Sequence, residues 1–552
     1  MMMYGLWHGI NHFSKFVLTM LFLIICLLSC RHEASAALLH GRNVLLMIAD
    51  DGGFEMGVYG NNRCQTPHLD ALAAQSLVFS RARTSVSSCS PSRAALLSGL
   101  PSHENGLYGL HHDVHHFNSF ETVRSLPMIL RENGVRTGII GKKHVGPRSV
   151  YSFDYEQTEE NNSIMQVGRN ITRIKLLVRE FLATQNETQP FLLYVAFHDP
   201  HRCDHSNPGY GHFCDKFGNG EPGFGHIPDW KPIQYKPEDV LLPYFVPDTP
   251  AAREDVASQY TTISRLDQGA RQNNLGVGLV LDEIRKAGKT EDTLIIYSSD
   301  NGISFPYGRT NMYEPGLAVP LFIKSPHDLT RRGELTDVQA SLLDIVPTVL
   351  DWFDIDYPKY HILKPSQPTS LGGKSLLPFL RGDDKAESDA FFGSHAMHEV
   401  TMNYPMRSII QGERYKLIHN LNAPGTPFPI DQDFYLSPTF LDMLNRTLNG
   451  LPLHWIKELS DYYFREEWEM FDLKEDPKEC VNLHRKKKYR EIFVELKEKL
   501  FMWQKSTYDP WLCYVLHMEY FWRTLKDLSA LRCITGNLED TDNYMLSDWY
   551  YM

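Results

Sequence analysis

Short, almost continuously apolar runs alternate with helical periodicity over the first two thirds of the chain. NVLLMIADD, RTGIIGKKH, PFLLYVAFHDPH and TLIIYSSDNG each read as a strand that is apolar on both faces. Parallel strands covered by helices on either side look like this. TPHLDALAAQSLVF and the region from Asp255 to Lys289 carry helical spacing between them. An α/β domain is therefore expected over residues 37–385, its alternation running from about residue 42. Beyond about residue 386 the pattern changes. MRSIIQGERYKLIHNLN alternates like an exposed antiparallel strand or hairpin, and WEMFDLKEDPKECVNL like a strand and a turn. Residues 386–552 are expected to form a smaller α+β domain packed on the first. There is no repeat at solenoid spacing and no low-complexity linker.

The four apolar runs end in chemically useful residues. They deliver Asp50-Asp51, then Lys142, Lys143 and His144, then His198, Asp199 and His201, then Asp300-Asn301. Ligands bind just beyond the carboxyl ends of the strands in an open parallel sheet. One strand ending in Asp is routine; four such ends point to a site. Asp50, Asp51, Asp300 and Asn301 supply only oxygen, which suits a hard divalent cation. Cys89-Ser90-Pro91-Ser92-Arg93 opens an apolar, helix-compatible segment in SVSSCSPSRAALLSGL. A cysteine at a helix N-terminus reads as an activated thiolate, or more plainly as a buried cysteine in a Ser/Pro turn.

Charge and cysteine usage narrow the class. A formal net charge of −12 excludes a global basic field for nucleic acid. Lys15, the apolar stretch VLTMLFLIICLLS and Ala34-Ser35-Ala36 predict a secretory signal over residues 1–36. Its core of about 13 residues is short for a membrane span, and no later stretch is long and apolar enough. Cys64, Cys89, Cys203, Cys214, Cys480, Cys513 and Cys533 remain after cleavage. Cys203–Cys214 and Cys513–Cys533 are the natural local disulfides, with Cys64 and Cys480 either free or bridged. Glycosylation sequons stand at Asn161, Asn170, Asn186 and Asn445.

The pattern C-x-P-x-R followed by an apolar helix resembles the mark of the type I sulfatases. ADDGGFE and GIIGKKHVGP carry further elements of that family. GLHHDVHHFNSF, VGRNITRIKLLVR, YVAFHDPHRC, EVTMNYPMR and FPIDQDFYLSPTF resemble the branch that removes N-linked sulfate. The resemblance implies an alkaline-phosphatase-like α/β fold, with a large mixed, mostly parallel sheet and a small antiparallel C-terminal domain. It implies a lysosomal exo-hydrolase acting on N-sulfoglucosamine at non-reducing ends of heparan sulfate. A formylglycine-generating enzyme would oxidise Cys89, whose hydrated aldehyde is the family's nucleophile, and a homodimer is compatible with the same reading. Asp50, Asp51, Asp300, Asn301 and modified residue 89 would hold Ca2+, with Mg2+ the alternative. Arg93 would hold the nucleophile, Lys142 and Arg309 the sulfate oxygens. His144 would take a proton from the second hydroxyl and His201 would protonate the leaving group. Glu399, or a polar neighbour, would recognise sugar hydroxyls; His198 is read as structural and Lys143 as turned away.

One departure is plain: Ala270 to Gly276 adds seven residues within LDQGARQNNLGVGLVL. No candidate site residue lies there. An O-sulfatase of glycosaminoglycans would share every motif above. A phosphoesterase of the same superfamily would place Ser or Thr at position 89 and a two-metal ligand set. An inactive glycosaminoglycan-binding relative is a third reading, which the intact motif set opposes.

Overall fold

The computed structural model describes residues 42–203, 209–268, 277–362, 367–383 and 390–512. Eight strands form the larger sheet: β1 Asn43–Ala49, β2 Leu77–Arg83, β3 Arg136–Gly141, β4 Tyr155–Thr158, β5 Phe191–Ala196, β6 Thr293–Ser299, β7 Leu321–Lys324 and β8 Leu335–Ser341. Their order is β4-β3-β5-β1-β6-β7-β2-β8. Only β7 runs against its neighbours, pairing antiparallel with β6 and β2. The rest of the sheet is parallel, so β1, β3, β5 and β6 all point their carboxyl ends at one edge.

The apolar runs are continuous because both faces are covered. In β1, Val44, Leu46 and Ile48 enter one core and Leu45, Met47 and Ala49 the other. Helices α1 Pro67–Ala73, α4 Ile171–Ala183, α5 Pro250–Asp267 and α6 Val277–Lys286 supply side chains to the second core. Helices α2 Cys89–Ser98, α3 Leu126–Glu132 and α7 Ile345–Phe353 supply the first. Helix α2 is buried at all ten positions, so it has no solvent face to set its orientation. Gly99 ends it in the left-handed region at φ 72°. No helix among the described residues is long and apolar enough to cross a membrane.

A second sheet, in the order β12-β11-β10-β9, is antiparallel throughout. It comprises β9 Ala390–Met397, β10 Asn403–Gln411, β11 Tyr415–Asn420 and β12 Trp468–Asp472. Met406, Ile410, Ile418 and Phe471 face an aromatic core shared with Phe305, Met312 and Tyr313 of the larger unit. After α8 Pro438–Leu448 comes α9 Arg490–Ser506, whose Phe493, Leu496 and Leu500 pack on Ile409, Leu417 and Met470.

Two expectations fail here. The stretch TPHLDALAAQSLVF is helical only to Ala73, and Leu77-Val78-Phe79 open β2, paired with Leu321 to Ile323. The β10–β11 hairpin is almost wholly buried, because α9 covers the face expected to meet water. The cysteines fall partly as expected. Cys203 and Cys214 form a disulfide, Cys64 is free and buried, and Cys480 is free and exposed. The leader, the insertion Ala270 to Gly276, Cys513 and Cys533 lie outside the described residues. Asn161, Asn186 and Asn445 are exposed, whereas Asn170 is half-buried and caps α4 by accepting from the Arg173 amide.

Candidate functional site

At the carboxyl edge of the sheet, β1 and β6 lie side by side and release their polar ends together. Asp50, Asp51, Asp300 and Asn301 are at most 1% exposed. Arg93, one helical turn into α2, crosses beneath them. It donates to Asp300 (Nε, 3.0 Å), Asp50 (Nη2, 3.2 Å), the Lys142 carbonyl (2.9 Å) and the Tyr194 hydroxyl (3.2 Å). Arg93 therefore holds the acids around Cys89, where a grip on the nucleophile itself was expected. Lys142 leaves β3 and donates to Asp50 at 2.6 Å. Lys143 turns the other way, to Glu156 at 3.3 Å.

Arg309 is fully buried between two parts of the chain. It donates to Asp51 (2.6 Å), Asp431 (2.7 Å) and Asp433 (2.5 Å), and its Nη1 lies 2.9 Å from His201 Nε2. His201 Nδ1 lies 2.8 Å from the Arg202 carbonyl, so that nitrogen carries the proton and Nε2 faces the site. Arg169 and Arg265 grip Asp199 and so fix the turn that carries His201. His144 has φ 54°; its Nε2 contacts His112 Nδ1 and its amide donates to Glu160 (2.8 Å). His198 pairs with Glu159 at 2.8 Å. Only 5–7% of Lys142, His144 and His201 reaches solvent, so the site is a nearly closed pit.

Cys89 Sγ lies 3.9 Å from both Asp51 Oδ1 and Arg309 Nη1. The thiolate reading does not survive. Burial pushes this thiol well above the ordinary range, with Lys142 opposing it and Asp50, Asp51 and Asp300 adding to it. The helix N-terminus is a short-range effect, and full burial overcomes it.

The acids themselves are uneven. Burial opposes ionisation of Asp50, but Lys142, His201, Arg93 and His198 hold its carboxyl well below the usual range. Asp51 is pushed up to about 8 by burial, against Arg309 and with Asp50 and Asp300 adding to it. Burial likewise lifts Asp300 to about 6. Asp50, Asp51, Asp300, Asp431 and Asp433 stand against Arg93, Lys142 and Arg309. With all five acids ionised, as a bound cation would favour, that is a surplus of two negative charges. Asn301 donates through Nδ2 to Asp51 (2.7 Å), while its buried Oδ1 accepts from no described group. Carboxylates, an amide oxygen and a two-charge surplus fit a hard divalent cation. Asp50, Cys89 and Asp300 bring ligand atoms within 4.8 Å of one another.

Two contributors escaped the sequence reading. Asp431 and Asp433 lie in FPIDQDFYLSPTF, a stretch noted for its resemblance and given no chemistry. His398 links Ser88 Oγ (2.8 Å) to Asp431 (3.3 Å). Its neighbour Glu399 is half-buried, and burial, with Asp431 and Asp433 adding, lifts its carboxyl to about 7. The histidine-rich segment reaches the same place, since the Leu110 amide donates to the His398 carbonyl and the Val400 amide to His115.

Buried acids, an amide, a lysine, two arginines and histidines around one cysteine suit the binding of an anionic group beside a cation. The chain belongs to the sulfatase family, whose model matches residues 42–355. The family uses a formylglycine and a divalent metal, for which Asp50, Cys89 and Asp300 form a candidate cluster. The chain is 58% identical to human N-sulphoglucosamine sulphohydrolase over 494 residues, 88% of this chain and 96% of that one. It is 24% identical to an N-acetylglucosamine-6-O-sulfatase of Bacteroides thetaiotaomicron, covering 85% and 87%. A protein solved in complex with its substrate D-glucosamine-2-N,6-O-disulfate shares the fold, with TM-score 0.58, 21% identity and 85% and 98% coverage. A phosphonate monoester hydrolase of Agrobacterium radiobacter also shares it, with TM-score 0.52, 17% identity and 84% and 96% coverage.

Proposed function

We propose that this chain hydrolyses the N-linked sulfate of N-sulfoglucosamine at non-reducing ends of heparan sulfate, in the lysosome. The observation that carries the reading is 58% identity, over almost the full length of both chains, to a sulphohydrolase of that sugar. A hydrated formylglycine at position 89 would supply the oxygen nucleophile, and a divalent cation, Ca2+ on this donor set, the Lewis acid beside it.

The chain's own residues divide the remaining work. Asp50, Asp51, Asp300 and Asn301 would hold the cation, and Arg93 fixes Asp50 and Asp300 in place for it. Lys142 and Arg309 face the sulfate oxygens and offset their charge as the S–N bond stretches. An amine is too basic to leave as an anion, so it must be protonated as it departs. His201 Nε2, beside Arg309, is placed for that transfer. Burial, ahead of Lys142, lowers this imidazole to about 4, so once protonated it is a strong acid. His144, held low by burial and Lys142, is a neutral acceptor. The test is sulfate release from glucosamine N-sulfate against glucosamine 6-O-sulfate at acidic pH.

A further inference from the structure

Cleavage of an N-sulfate differs from cleavage of an ester in the charge of what is left behind. RNH–SO3⁻ and water give RNH3⁺ and SO4²⁻; the S–N bond breaks, an S–O bond forms, and nitrogen gains two protons. An ester leaves a neutral alcohol. Both leaving groups need a proton, but only the nitrogen linkage leaves a cation, so a site dedicated to it has use for a carboxylate beside the leaving group.

Asp433 stands there. Its Oδ2 lies 3.3 Å from His201 Nε2, the atom placed to protonate the leaving nitrogen. Of the acids around Arg309, it is the one that reaches the opening. Its side chain is 15% exposed, against 1% for Asp51 and for Asp431. It is also held in place rather than floating. The Asp433 amide donates to Asp431 Oδ1 (3.0 Å), Phe434 beside it is buried, and Arg309 fixes one carboxylate oxygen. Resting on the N-sulfate reading above, we infer that Asp433 receives the amine: its carboxylate binds the glucosamine nitrogen as the S–N bond breaks and holds the ammonium product. The other interpretation is that Asp433 only positions Arg309.

Product inhibition separates the two. Glucosamine (an ammonium at acidic pH), N-acetylglucosamine (neutral) and inorganic sulfate are compared as inhibitors of wild type, Asp433→Asn and Asp433→Glu. Inhibition constants do not depend on how much of a variant is folded. If Asp433→Asn turns over too slowly, the same three ligands are ranked by their shift of its melting temperature. In the wild type glucosamine binds more tightly than N-acetylglucosamine. Asp433→Asn weakens glucosamine about tenfold or more, as loss of a charged hydrogen bond does. N-acetylglucosamine and sulfate change by less than about twofold, and Asp433→Glu restores part of the glucosamine affinity. Equal weakening of both sugars, or a matching loss of sulfate binding through Arg309, overturns the inference alone. Wild-type protein that leaves glucosamine N-sulfate intact overturns the functional reading and this inference together.

Discussion

The turn that carries His201 depends on a buried charge cluster, and Asp199→Asn is the sharpest way to disturb it. Asp199 accepts from Arg169 Nη1 (2.6 Å) and from Arg265 Nε (2.7 Å) and Nη2 (2.8 Å), with all three side chains at most 2% exposed. Asparagine has nearly the same volume, so no cavity enters the comparison. Its amide group turns N–H toward guanidinium N–H, and one negative charge is lost between two positive ones. Breaking such a buried arrangement costs about 3–5 kcal/mol, a large share of a typical stability of about 5–15 kcal/mol. Arg169 also donates to the carbonyls of His201 (3.1 Å) and Arg202 (3.0 Å), and the latter faces His201 Nδ1. Loosening Arg169 therefore loosens the imidazole. Melting at a fixed scan rate should fall by roughly 3–5 °C. Turnover on glucosamine N-sulfate should fall at least about tenfold, while substrate binding changes less. Adding Arg265→Met should cost less than the two single losses together, since its partner is already gone. A variant melting within about 1 °C of wild type, with normal turnover, would refute the argument.

Two further outcomes follow from charges read in the structure. Glu314 and Glu479 share Lys416 (3.1 and 2.8 Å) where the small sheet meets the larger unit, and Arg83 also pairs with Glu314. Burial resists ionisation of Glu314, but Arg83 and Lys416 outweigh it and hold it near 2. Burial, against Lys416 and with Glu314 adding, lifts Glu479 to about 7. A depressed carboxyl loses its stabilisation as pH falls from about 4.5 toward 2. A raised one stabilises fully below about 4.5 and loses that contribution as pH rises to 7. Stability should peak at mildly acidic pH, and Glu479→Gln should flatten the decline between pH 4.5 and 7 by on the order of 1–3 kcal/mol; an unchanged urea-midpoint profile across that range would exclude this role. The two-charge surplus around Asn301 predicts that chelation abolishes turnover and lowers the melting temperature, with Ca2+ restoring both. Full activity and unchanged melting after exhaustive chelation would remove the cation from the site.

Much of the catalytic edge was legible because its signals are local. Strands covered on both faces have no polar positions to blur them, so β1, β3, β5 and β6 stood out with the residues at their ends. The stretch TPHLDALAAQSLVF failed for the opposite reason: Leu77-Val78-Phe79 are as apolar as a helix face, and only pairing with β7 settles them. Exposure of the β10–β11 hairpin was misjudged because α9, some 70 residues later, supplies the covering face. The raised thiol of Cys89 was not legible because the burial that raises it belongs to the folded core, not to its own helix. Asp431 and Asp433 were passed over as chemistry because their partner, Arg309, lies more than a hundred residues away. Polar loop acids carry no periodicity, and only the folded chain shows which of them face Arg309.

The central claim is that this pit cleaves sulfate from nitrogen, and the direct measurement is a paired assay on purified protein at acidic pH. Glucosamine N-sulfate and glucosamine 6-O-sulfate are supplied at equal concentration, with Cys89→Ala as the control that removes the nucleophile's position. The account predicts equal amounts of free sulfate and glucosamine from the N-sulfate, little release from the 6-O-ester, and none from the variant. Preferential release from the 6-O-ester would contradict the assigned linkage, and undiminished turnover by Cys89→Ala would contradict the assigned site.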